Sequence, residues 1–173
     1  MKKLIIVLII PFAISVHAQI GVSRPDVANG SVSIQFSDAE NRGIVLPYVI
    51  DKSSIVQNGT MIYDITDHKV KYLKDTNTWF DLSIDASGVA DVSIQGNDKT
   101  EQPGAKVSID TRGGTDTTSG ILVLVDSNKA MVLPKVASPH LNIISPSAGM
   151  MVYDTTKRQL AVYNGNVWSF WKP

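Results

Sequence analysis

Residues Gly149 to Trp168 read G-M-M-V-Y-D-T-T-K-R-Q-L-A-V-Y-N-G-N-V-W. Two apolar, β-prone runs flank a polar turn, and an Asn-Gly pair leads into an aromatic end. This predicts a hairpin followed by a third strand, because Asn and Gly adopt the backbone conformations that tight turns require. The pattern occurs once before, from Gly59 to Trp79, as G-T-M-I-Y-D-I-T-D-H-K-V-K-Y-L-K-D-T-N-T-W. Gly149, Tyr153, Asp154 and Thr156 match Gly59, Tyr63, Asp64 and Thr66 at a constant spacing of 90, whereas Trp168 follows Trp79 by 89. One residue has slipped within the hairpin. The chain is a tandem repeat, which decides its architecture before any single element does.

The repeat extends outward from these hairpins. Ala130-Met131-Val132-Leu133-Pro134 answers Gly43-Ile44-Val45-Leu46-Pro47, and Ile121 to Val125 answers Val32 to Phe36. Ser31 to Phe36 alternates as S-V-S-I-Q-F, which predicts a half-buried strand with Val32, Ile34 and Phe36 on one face. Proline cannot donate to a ladder, so the strand entering Pro47 ends there or lies at an edge. Between the copies, Val92-Ser93-Ile94 and Val107-Ser108-Ile109 are short alternating pieces set among polar loops, one of them Gly113 to Gly120. No helical period is sustained, and Pro139 and Pro146 leave room only for a helical turn between Ala137 and Ala148. The expected fold is all-β. It comprises a first module over 19–82, a β- and loop-rich middle over 83–118, and a second module over 119–173.

The two copies are unequal. Met150 to Tyr153 and Leu160 to Tyr163 are apolar on both faces, while Lys71 and Lys74 interrupt the matching strand of the first copy. A sheet with one solvated face shows polar alternates. The second copy is therefore expected to be covered on both faces, by the rest of the chain or by another subunit.

The chain opens with Lys2-Lys3, an apolar run from Leu4 to Val16, and Val16-His17-Ala18. A basic start, a run of this length and small residues before the cut define a secretory leader over 1–18. The expected location is exported: cell surface, extracellular or periplasmic. Cleavage after Ala18 would remove two of 16 basic residues and leave 14 against 16 acidic. That balance gives no general attraction to nucleic acid. No later run reaches the roughly 20 apolar residues of a membrane-spanning helix. Cysteine is absent, so neither disulfides nor thiolate metal sites are available.

No catalytic constellation emerges, and no cofactor or metal ligand set is read. His68 and His140 lack a nucleophile context. Asp64, Asp67 and His68 fall on a hairpin turn whose second copy carries Lys157 and Arg158, and they read as turn residues. Asp81, Asp85, Asp91 and Asp98 lack the spacing of a calcium loop. Arg112-Gly113-Gly114 is too short to read as an RNA-binding segment. Aromatics offer the one candidate ligand surface, with Trp79 and Trp168 as equivalent platforms for sugar rings, joined by Tyr153 and Tyr163. Core or interface packing is the stronger reading of these residues, since Tyr and Trp are common in both.

In order, the motifs resemble those of secreted bacterial proteins with tail-fibre-like repeats. The resemblance rests on Gln19-Ile20-Gly21 leading to Pro25 and on V-D-S-N-K-A-M-V-L-P-K from Val125 to Lys135. It also rests on G-M-M-V-Y-D-T-T from Gly149 and Y-N-G-N-V-W from Tyr163. The first copy departs from it at Tyr48, where the family has arginine, and in lacking the Asn-Gly turn. The resemblance implies an envelope or extracellular β-protein without catalysis, structural or adhesive, that assembles as a homo-oligomer or with other envelope proteins. Glycan is the alternative ligand.

Overall fold

In the computed structural model, residues 18–93, 102, 104–111, 113 and 116–172 are described. The predicted leader lies outside them apart from Ala18, as do Ile94, Asp98, Arg112 and Gly114 of the readings above. The chain is all-β, with one helical turn among the described residues. The first copy supplies β1 (Ile20–Val22), β2 (Val32–Phe36), β3 (Ile44–Val45), β4 (Tyr48–Val49), β5 (Met61–Asp64), β6 (Lys69–Asp75) and β7 (Thr78–Asp81). The second supplies β8 (Val107–Ile109), β9 (Leu122–Leu124), β10 (Ala130–Val132), β11 (Lys135–Val136), β12 (Met150–Asp154), β13 (Gln159–Tyr163) and β14 (Trp168–Trp171). Between β11 and β12 sits α1 (Pro139–Asn142), in the stretch where the prolines allow only a turn.

Pairing repeats strand for strand. β4 lies parallel to β5 at the edge of the β5–β6–β7 meander, as β11 lies parallel to β12 beside β12–β13–β14. β1 lies parallel to β2, and β8 parallel to β9. Ser37 N–H donates to Val22 O as Val125 N–H donates to Ile109 O. Ile34 therefore corresponds to Leu122, one residue away from the alignment read off the sequence. β8 belongs to the stretch between the predicted modules, yet it pairs with the second copy.

The copies also interlock. β3 joins the other copy's sheet, antiparallel to β12, and its equivalent β10 lies parallel to β2. Pro47 marks where the chain leaves the β12 sheet for the β4–β7 sheet. Leu46 N–H still donates to Gly149 O at 3.0 Å, but Pro47 contributes only its carbonyl, which accepts from Tyr63 N–H. Pro134 does the same for Tyr153. Each proline sits where one ladder ends and another begins, consistent with its missing donor.

The main core lies between the two meanders. Leu46, Tyr63, Val70 and Leu82 of the first copy pack with Ala148, Met151 and Val162 of the second. A second cluster on the far side of the β12 sheet holds Val136, Ile143, Met150, Val152 and Ala161, with Tyr163, Trp168 and Phe170 against it. The doubly apolar second copy is thus covered by its own chain: by the first copy on one face and by the segment around α1 on the other.

Polar contacts seal the main core at its rim. Tyr63 is wholly buried, and its hydroxyl donates to Asn164 O at 2.7 Å. Tyr48 Oη donates to Ala148 O at 3.0 Å, and Trp171 Nε1 to Leu82 O at 2.6 Å. The segment after β7 runs along the second copy, with Ile84 N–H donating to Ser169 Oγ and Asn164 Nδ2 to Asp85 O. Gly88 fits there because a Cβ would lie 1.8 Å from Asn164 O.

β2 differs from the half-buried strand expected. Ser33 and Gln35 are buried along with Val32 and Ile34, because the connection from β1 folds over the polar face. Gln35 Oε1 accepts from Ala28 N–H at 2.7 Å, so its amide oxygen is satisfied within the protein.

Tyr63→Phe keeps the ring and removes the bond to Asn164 O. It is expected to lower the unfolding free energy by about 1–2 kcal/mol, the cost of a lost buried hydrogen bond. Urea denaturation of both chains measures it.

Candidate functional site

The four candidate aromatics do not converge. Trp79 lies opposite Leu73 on the β5–β7 sheet, and Trp168 opposite Tyr163 on the β12–β14 sheet, so the two tryptophans are structurally equivalent. Trp168 packs 5.2 Å from Tyr163 and stacks at 6.4 Å on Phe170, between ring centroids. His140 meets Phe170 edge-on at 5.8 Å. Tyr153 is on the opposite face of the same sheet, because side chains alternate along a strand.

The outer face of the first copy is ionic where the second is aromatic. Lys71 Nζ bonds to Asp67 and lies 3.6 Å from Asp64 and 3.4 Å from Asp81. Lys52 reaches Asp64 at 2.6 Å and Lys69 reaches Asp81 at 2.7 Å. Three ammonium and three carboxylate groups balance one another. Ala161 and Phe170 hold the equivalent places of Lys71 and Asp81 in the other sheet.

Asp64 does the turn work its position predicts, accepting from Thr66 N–H at 3.0 Å and Thr66 Oγ1 at 2.6 Å. It is also buried, 1 % exposed, which the turn alone does not require. Burial pushes its carboxyl up, but the bonds from Lys52 and Thr66 outweigh this and hold it at about 2. Its equivalent Asp154 is likewise buried and accepts from the backbone N–H groups of Ser138, Thr156 and Lys157.

The remaining carboxylates are engaged separately. Asp85 accepts from Ser87 N–H at 2.7 Å and Asp91 from Ser93 N–H at 2.9 Å. Among the described residues, no three His, Asp or Glu side chains are grouped to hold a metal ion.

An apolar groove of about 330 Å³ opens on the second copy, lined by Met131, Val132, Leu133, Lys135 and Tyr153. Of these only Tyr153 is a candidate by residue type. The other four were legible in the repeat itself, since they match Ile44, Val45, Leu46 and Tyr48. In the first copy Leu46 and Tyr63 belong to the main core, with Tyr48 packed against it.

Residues 108–172 match a family described as a phage tail like trimerisation region. The matched stretch begins within β8 and ends just after β14, so it coincides with the second structural copy. No curated protein and no solved structure matches the chain. Among the described residues, no helix is long and apolar enough to cross a membrane.

The Asp64 network fixes a pH dependence. Its carboxyl ionises at about 2 in the fold and near 3.9 in an unfolded chain. The stabilisation is complete above pH 4 and is lost as pH falls toward 2. Asp64→Asn should lower stability at neutral pH by roughly 2 kcal/mol and flatten the fall in stability between pH 4 and 2. Denaturation series at several pH values check both effects.

Proposed function

We propose that the chain is an exported structural subunit that assembles as a homotrimer through its duplicated β module. The observation that carries this reading is the coincidence of the trimerisation match with one complete structural copy. The first copy has the same strand order and the same pairing within the copy, and gives the subunit a second module of that design. The basic, apolar and small-residue leader supports export. The order of the motifs, similar to that of secreted tail-fibre-like repeat proteins, supports a place at the cell envelope or surface.

The principal aromatics support assembly over sugar binding. Trp168, Tyr163 and Phe170 pack on one another and on a buried cluster, whereas a sugar platform needs a ring face open to its ligand. The ionic outer face of the first copy is internally neutralised, which leaves little field to recognise a charged ligand.

Light scattering after gel filtration of residues 19–173 tests the proposal. The expected mass is three times that of the single chain, stable on dilution through the micromolar range. A single-chain mass at every concentration would contradict it.

A further inference from the structure

The two copies share a core through equivalent inner faces, but the strand pairings between them are heterologous, since β2 meets β10 and β3 meets β12. The first copy presents β2 and the Ile44–Leu46 strand with Tyr48 and Tyr63. The second presents β10 and the entry to β12. Such a contact leaves the equivalent surfaces at both ends of the chain unfilled.

The structure shows these vacancies position by position. Ile34, paired with Met131 of β10, is 4 % exposed, while its equivalent Leu122 is 49 % exposed. Tyr63 is sealed by the strand entering β12, while its equivalent Tyr153 lines the open groove. Gly149 packs so closely that a Cβ would stand 3.0 Å from Tyr63 Cβ and 3.5 Å from Leu46 O. Its equivalent Gly59 also has positive φ, yet nothing lies within 4 Å of the same point. At these strand edges one copy of each contact is made, and its counterpart is open.

We infer that the groove of one chain takes residues Gly59–Met61 of a second copy of this chain, head to tail, while β9 of the first pairs with β3 of the second. Gly59 then packs on Tyr153 and Leu133 as Gly149 packs on Tyr63 and Leu46. Lys135 stands where Tyr48 does, so its ammonium donates to Asn58 O as Tyr48 Oη donates to Ala148 O. Heterologous contacts close into a ring when the rotation between copies permits it, and three copies then fill three grooves. The inference rests on the assembly proposed above and assigns its surface.

Cysteine pairing tests this directly, because the chain has no cysteine of its own. Leu46 N–H donates to Gly149 O, a bond that flanks the facing residues Val45 and Met150, so these are a pair of the closely spaced kind that a disulfide can span. The equivalents across the new contact are Val132 and Thr60. Chains carrying Val132→Cys and chains carrying Thr60→Cys, co-expressed and oxidised, should give a covalent dimer that neither forms alone. Val132→Glu should lower the native mass to that of one chain. An oligomer that forms no mixed cross-link and keeps its mass with Val132→Glu overturns the groove assignment and leaves the trimer standing. A cross-link from Val132→Cys alone would show a symmetric contact and overturn it also. A wild-type monomer ends both proposals.

Discussion

The face-to-face contact between the β4–β7 and β11–β14 sheets is the constraint from which the remaining structure follows. A three-stranded meander with one short parallel strand is too thin to hold a core of its own; it needs a second layer. Each copy provides that layer for the other through Tyr63, Val70, Met151 and Val162. Burying side chains of this size is worth about 1.5–3 kcal/mol each. Without disulfides, that shared layer carries the stability of the chain. Tyr63 is its centre: its ring fills the interior and its hydroxyl satisfies a carbonyl of the opposite copy.

Sharing a core has freed the outer faces to diverge. In the first copy the outer face became a neutral cluster of lysines and aspartates, in the second an aromatic one covered by the α1 segment. The ionic cluster is sited where Ile62 and Leu73 already supply apolar burial, so the charges need only satisfy one another. The aromatic face needs a cover, and the longer β11–β12 connection provides it. The spacing between copies records this: Pro134 follows Pro47 by 87 residues, and Tyr153 follows Tyr63 by 90.

The hairpins, the turn aspartates and the duplication were legible in the sequence because they depend on local chemistry. Asp64 and Asp154 must accept backbone N–H groups at the same turn in both copies, and the proline of each V-L-P must end a ladder. The role of β8 was not legible, since Val107-Ser108-Ile109 resembles any short strand until its parallel partner is known. Nor was the burial of Ser33 and Gln35, which depends on a connection folding back over β2. The groove lay between these extremes. Its residues were visible as the match of Met131–Leu133 to Ile44–Leu46, but its vacancy appears only when the first copy's filled version stands beside it. Tyr, Trp and Phe serve a thin core as readily as a ligand, so residue type alone does not assign the aromatics to a site.

If the two sheets share one core, neither can open without the other. Native-state amide hydrogen exchange of β5–β6 against β12–β13 measures this most directly. The account predicts that the slowest amides in both hairpins exchange through a single opening, with the same free energy and the same dependence on denaturant. Two distinct opening energies, with one hairpin exchanging while the other stays protected, would contradict it and return the chain to two independent modules.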